Sequence, residues 1–406
     1  MSGLYWTGCS RNGRWRRIFV AEAEKAATNV CLAIHIGSVE GGVTVALAEY
    51  FMGEGAELVW IRHPLTPKSG SYSEFRQYSG GHLVSSQKRW AGRIFAPLMY
   101  MRDVIYTLWW MLRRPAADLY IGADALNALA GVLLKWLGKA RYTVLFTIDF
   151  VPRRFESRWL NWCYHEVDRF CLRNCDQVWD LSPRMIEGRR ARDGEKFKMN
   201  AQHVIVPQGA WYSRIPRLPL EQTQRHLVGF MGILVEKQGV QLLISALQKV
   251  RAVVPQARLR VIGDGPYAQE LRSQVSSLGL DEAVEFTGYV QDHREVERLL
   301  AECAFAVSLF DPDLDDFTYY ADPGKIKIFL AAGLAVIMTA VPLVAQEVEA
   351  KRCGVIVTYD ESSVAEAMLT LLTDDGLLGE YRANALAMAR EYDYAHIFAR
   401  ALADIS

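Results

Sequence analysis

No charge of either sign is left over in this chain: 46 lysines and arginines meet 46 aspartates and glutamates, for a formal net charge of zero. A nucleic-acid partner therefore gets no support from bulk electrostatics. Long apolar runs are missing too. The most membrane-like stretch, Ile94 to Leu112, is broken by Pro97, Arg102 and Asp103 and does not span a bilayer. Cysteine is scattered: Cys9, Cys31, Cys163, Cys171, Cys175, Cys303 and Cys353 offer no second pair to accompany Cys171 and Cys175. That excludes the usual spacings of a metal site and points to reduced thiols in a cytosolic protein. Residues 1–29 hold Arg11, Arg14, Arg16 and Arg17 but no apolar run of signal-peptide length, so they read as a poorly ordered leader. Low-complexity tracts and short-period repeats are absent.

What is present is core. With 406 residues, 51% of them hydrophobic, the chain is long enough for two domains. Val30 to Ile36 is the mostly apolar run that a buried parallel strand needs. It leads into Gly37, Gly41 and Gly42, then a helical pattern through Val45, Leu47, Ala48 and Phe51. Strand, glycine-rich turn and helix make the first unit of a doubly wound sheet. His35 on that strand reads as a satisfied core histidine. Glu57 to Ile61 is the next predicted strand, and residues 64–92 read as a long polar loop or short elements facing a cleft.

Helices are predicted over 93–114 and 125–138, and strands over 118–121 and 142–148, the second delivering Asp149 at its carboxyl end. The aromatic run from Trp159 to Phe170 reads as helix packing. Strands at 177–181 and 203–206 follow. Pro207 to Gln224, rich in proline and without periodicity, is the best boundary. Strand–helix alternation then restarts at His226. The pattern predicts an α/β protein with two Rossmann-like doubly wound domains facing a central cleft. Its parts are a first domain at 30–206, a linker at 207–225, a second domain at 226–385 and a C-terminal helix at 386–406, expected to pack back on the first.

One stretch, Asp322 to Gly333, reads as a short punctuated helix. Asp322 is expected to cap it, Pro323 to take its first position and Gly333 to end it. Lys325 in the opening turn opposes the positive end of the helix dipole, unless an anion sits there and Gly324 lets it approach the backbone.

Around this helix stand Gly232-Ile-Leu-Val-Glu-Lys-Gln-Gly-Val240, Ile262-Gly-Asp-Gly-Pro266, Phe286-Thr-Gly-Tyr-Val290 and Ala331-Ala-Gly-Leu-Ala-Val-Ile337. In this order and spacing the second half resembles the donor lobe of the GT-B glycosyltransferases, in particular the retaining group known as family 4. Glu40-Gly41-Gly42 resembles the glycine-rich loop of the opposite lobe. The resemblance implies a GT-B architecture and a sugar transferred from a nucleotide-sugar donor to a glycan or lipid-linked acceptor, with retention and no bound metal or cofactor.

In such an enzyme the charge building on the leaving diphosphate must be stabilised. The resemblance gives that work to Lys325 and Lys237, with Asp322, Pro323 and Gly324 at the helix start. Gly232, Gly263, Asp264 and Gly265 would meet the donor, and Gly288, Tyr289 and Val290 its base. Gly41 and Gly42 would offer N–H groups from the other lobe, and Asp149 would orient or deprotonate an acceptor hydroxyl.

The chain departs from the family at three positions. Tyr320 and Ile328 stand where a pair of glutamates is usual, and Ile233 where an arginine is common. These departures bear on donor identity and activity, and they support a second reading, a GT-B scaffold without catalysis that serves as a binding or assembly partner. A nucleotide-sugar epimerase of similar shape is a weaker alternative. Arg89, Arg93, Arg113, Arg114, Lys135, Lys139 and Arg141 flank apolar helices bearing Trp90, Trp109, Trp110 and Trp136. That combination suits a cytoplasmic protein resting peripherally on the inner face of a membrane.

Overall fold

The computed structural model describes residues 29–37, 42–66, 70–92, 95–314, 316–403 and 405. Glu40, Gly41 and nearly all of the leader lie outside the described residues. The first sheet begins with β1 (Asn29–Ile36), β2 (Glu57–Pro64), β3 (Tyr72–Ser79) and β4 (His82–Trp90). It continues with β5 (Ala117–Ala123), β6 (Ala140–Thr147), β7 (Gln177–Asp180) and β8 (Gln202–Ile205), in the order β4-β3-β2-β1-β5-β6-β7-β8. The second sheet holds β9 (Gln224–Met231), β10 (Arg258–Ile262), β11 (Val284–Gly288), β12 (Cys303–Ser308), β13 (Ala335–Thr339) and β14 (Gly354–Val357). Its order, β11-β10-β9-β12-β13-β14 with every pair parallel, is the doubly wound one. Its chain order reverses between β9 and β12; in the first sheet β1 lies between β2 and β5. Crevices at such switch points take ligands at the carboxyl ends of the strands.

The segment 64–92 is a correction. It is not a long loop but an antiparallel hairpin, β3 paired to β2 and β4 to β3, that widens the sheet. Gly80 and Gly81 turn it with φ of 52° and 81°, the left-handed conformations a two-residue hairpin turn requires. Only Ser73 and Phe75 of β3 are deeply buried and β4 is almost wholly exposed, so the apolar alternation that betrays a strand is weak there.

Apolar side chains cover both faces of the second sheet and of the parallel part of the first. The six cysteines among the described residues are free thiols. The helix Asp375–Glu391 stays on the second lobe, where Ala385, Met388 and Ala389 join the cluster of Phe329 and Leu330. The chain then returns: helix Tyr394–Ala403 sets Tyr394, Ile397, Phe398 and Ala401 into the core of the first lobe with Leu47 and Phe51. The outgoing and returning crossings touch. Ala210 donates its N–H to the carbonyl of Tyr392 at 3.0 Å, and Tyr394 donates to the carbonyl of Ala210 at 3.2 Å.

Candidate functional site

The helix Gly324–Ala331 opens with Pro323 as its cap residue and no side chain bonded to its first turn. Asp322 therefore does not cap it. Its buried carboxylate instead pairs with the buried ammonium of Lys327 and accepts the N–H of Gln208 at 2.9 Å. The exchange has a physical reason: a cap contributes about 1 kcal/mol, whereas an unpartnered buried ammonium costs several. Burial pushes the Asp322 carboxyl up despite the ammonium beside it. The first turn thus begins at Pro323, which has no side-chain acceptor of its own to offer.

Lys325 points the other way. Its ammonium donates to Oε1 of Gln238, lies over the rings of Phe310 at 4.5 Å and Phe230 at 5.0 Å, and stands 3.6 Å from where a Cβ on Gly232 would be. The helix and the loop after β9 are thus brought together. Gln238, which sequence reasoning passed over, is the contact between them. Lys237 beside it sends its ammonium toward the ring of Phe317, at 5.7 Å from the centroid.

The glycines of the donor-side loops have a nearer partner than a ligand. A Cβ on Gly263 would fall 2.0 Å from the carbonyl oxygen of Gly232, and one on Gly265 would fall 2.3 Å from that of Leu234. The loops after β9, β10 and β11 are laced by backbone bonds: Gly232 N–H to the carbonyl of Ile262, Leu234 N–H to that of Asp264, Gly263 N–H to that of Gly288. Asp264 spends one carboxylate oxygen on the N–H of Gly265 at 2.8 Å. Tyr289 projects from this rim, 62% exposed. Val290 and Ile328 pack, half-buried, against the same apolar cluster, and Ile233 is exposed. Apolar surface thus occupies the places of the expected carboxylate and arginine. Tyr320 turns to the other lobe, its ring 5.1 Å from that of Phe150.

On the first lobe, helix Val43–Gly53 starts at Gly42, φ 78°, a cap residue that again offers no side chain to the first turn. The linker residue Gln208 reaches both helix starts: its Nε2 lies 4.0 Å from a Cβ built on Gly42, and its Oε1 lies 3.5 Å from one built on Gly324. Tyr394 donates its hydroxyl to the same Oε1 at 3.1 Å. Two helix N-termini, one from each lobe and neither with a side-chain cap among the described residues, converge on one side chain. Open N–H groups and aligned dipoles make such ends anion sites.

Facing them at the carboxyl ends of β1, β5 and β6 is a polar cluster. His35 is no quiet core histidine. Its Nδ1 is 2.7 Å from Asp124 Oδ2 and its Nε2 3.4 Å from Asp103 Oδ2. Burial disfavours its charge, but the Asp124 and Asp103 carboxylates outweigh that and lift its pKa to about 9. Burial pushes neighbouring His63 down to about 3. Asp124 has φ 81° and ψ 165°, a conformation that L residues avoid. It caps helix Ala125–Trp136 through the N–H groups of Leu126 and Asn127 while holding His35 and the Asn127 amide with its other oxygen. Sequence shows an aspartate between strand and helix, which reads as an ordinary cap; only the backbone angle marks it. Asp149 is more open, 39% exposed at its side chain, and pairs with Arg154. A small cavity sets both beside Tyr164, Asp168 and Arg189.

The basic aromatic surface expected on this lobe is corrected in part. Trp110 is buried and Trp109 is covered by the guanidinium groups of Arg89 at 3.6 Å and Arg113 at 4.0 Å. The exposed apolar stripe of helix Ala96–Leu112 is Leu98, Met101 and Ile105 instead. Trp159 and Trp162 on helix Arg158–Asn174 are exposed rather than packed. No helix among the described residues is long and apolar enough to cross a membrane.

Residues 225–374 match the family described as Glycosyl transferases group 1. A GDP-mannose-dependent alpha-(1-6)-phosphatidylinositol monomannoside mannosyltransferase of Mycolicibacterium smegmatis is 29% identical over 177 residues, 41% of this chain and 44% of that relative. The chain thus spans less than half the length of this curated relative. Among solved structures, Anabaena HepE in complex with UDP and glucose superposes with a TM-score of 0.66 at 15% identity, over 93% of this chain and 100% of that one. WaaG, a glycosyltransferase involved in lipopolysaccharide biosynthesis, superposes with a TM-score of 0.63 at 15% identity, over 93% and 99%. The chain therefore has the two-lobed GT-B fold, and residues 225–374 of its C-terminal lobe match the group 1 glycosyl transferases.

Proposed function

We propose that the protein transfers a sugar from a nucleotide-sugar donor to a glycan or lipid-linked acceptor, with retention and without a metal ion. The observation that carries this reading is the convergence of the two helix N-termini on Gln208, with the Lys325 ammonium held against the Gly232 loop. A diphosphate seated there gains N–H donors from both lobes and a cation, all in place before charge builds on the leaving oxygen. Lys237, next to Gln238 in the same loop, is the second cation. Tyr289 offers an exposed ring to the base. The relatives' GDP-mannose dependence and UDP complex support a nucleotide sugar as donor.

Across the cleft, Asp149 is the carboxylate that meets the acceptor hydroxyl. The oxygens of Asp124 already accept four hydrogen bonds, whereas Asp149 is engaged by Arg154 and stays open to solvent. Asp124 and His35 position that wall of the site. The work is cytoplasmic, with the first lobe resting on a membrane surface.

Thermal shift with UDP, GDP and their sugar conjugates tests the reading. A nucleotide raises the melting temperature of the parent chain, and Lys325→Ala removes the rise and lowers kcat about 100- to 1000-fold, as for loss of one donor to a developing oxyanion. No shift with any nucleotide would leave the non-catalytic scaffold, to which Ile328 and Ile233 lend themselves, as the better account.

A further inference from the structure

Beside the Asp149 cluster, helices Ala96–Leu112, Ala125–Trp136 and Arg158–Asn174 leave a groove of about 280 Å³ between them. Met101, Val104, Leu126, Leu129, Trp159 and Val167 line it. Monomeric soluble proteins seldom leave an apolar channel open unless something enters it. The groove is not an isolated pit. Tyr164 forms part of its wall and also part of the cavity that holds Asp149 and Arg154. Tyr100 lines it too, with its ring 5.7 Å from that of His35. Leu126 follows Asp124 by two residues at the start of the same helix. An occupant that fills the groove and reaches the polar cluster must be apolar at one end and polar or anionic at the other. Arg154, stacked at 5.0 Å over Tyr164, stands at the junction as a cation, and Arg158 is exposed at the start of the third helix. At the outer rim Leu98 and Ile105 continue the apolar surface toward solvent.

We propose that this groove seats a hydrocarbon chain of a lipid acceptor whose anionic head group meets Arg154 and whose hydroxyl end lies at Asp149. The proposal rests on the glycosyl-transfer reading and narrows its acceptor to an amphiphile. A soluble glycan gives the groove nothing to hold. The membrane contact of the first lobe then has a purpose: the open side of the groove faces the surface from which the chain is drawn.

The probes are butyl, hexyl, octyl and dodecyl phosphate below their micelle concentrations, with inorganic phosphate as the chainless control, titrated into the full chain and followed by tryptophan fluorescence. Each methylene entering the groove is expected to tighten binding about fourfold, until the groove is full. Leu129→Trp, which fills the groove, and Trp159→Glu, an exposed position that leaves the core intact, are each expected to abolish the chain-length dependence while a nucleoside diphosphate still raises the melting temperature. Affinity that does not change with chain length overturns the proposal. So does a dependence that both variants retain, or a dimer in sedimentation that Leu129→Trp dissociates, which would give the groove to a second copy. Chain-length dependence without any nucleotide shift would sink the donor reading and keep the groove.

Discussion

Two lysines two residues apart in the same helix do opposite jobs. Lys325 reaches Gln238 in the loop after β9, and Lys327 is buried to 1% exposure against Asp322 and above the ring of Tyr392 at 4.7 Å. Because Asp322 also accepts the Gln208 N–H, the pair ties the linker to the helix start. Asp322→Ala strands a buried ammonium, and the expected loss is about 3–5 kcal/mol of stability, read in urea unfolding. The companion change Lys327→Met in the same background should recover much of it. From sequence, Asp322 before Pro323 is indistinguishable from a cap. The burial of Lys327 decides otherwise, and burial of a lysine is not visible in a string of letters. That Lys325 stands in the opening turn of a helix was legible, and with it the expectation of an anion at that end.

Helices set the electrostatics of the first lobe. Helix Ala125–Trp136 takes its cap from a residue at φ 81°, and strain of that kind costs on the order of 1–3 kcal/mol. The ring of His35 rewards it by placing a positive charge between Asp124 and Asp103. The folded pKa of about 9 lies above the ordinary 6.5. The stabilisation from the protonated ring is therefore fully present below pH 6.5 and is lost as pH rises through 9. Over that window the parent chain should lose up to about 3 kcal/mol more than His35→Gln, in denaturant melts taken at half-unit steps. Strand-level reading recovered the parallel strands, whose apolar runs are long, and missed β3 and β4, whose outer faces are solvated. It also took Trp159 and Trp162 for packing, because an aromatic at helical spacing looks the same whether it faces a core or a groove.

At the scale of the molecule, the two-lobed architecture was readable, because strand–helix alternation stops after β8 and restarts at β9. How the lobes meet was not: Gln208, which touches both helix starts, is an unremarkable polar residue in a linker. The final helix belongs to the first lobe although it follows the second. A chain ending at Asp393 loses Tyr394, Ile397 and Phe398 from that core, each contributing about 1.5–3 kcal/mol. Its first lobe should melt well before its second, as two separated calorimetric transitions.

The paired crossings at Ala210 and Tyr392 carry a consequence for motion. A single strand between two bodies lets them swing and twist in any direction. Two strands bonded side by side permit rotation chiefly about one line. Opening the cleft then has one principal degree of freedom, with Gln208 tied by its N–H to Asp322 at the start of the second-lobe helix. The diphosphate would be gripped and released by a single angle.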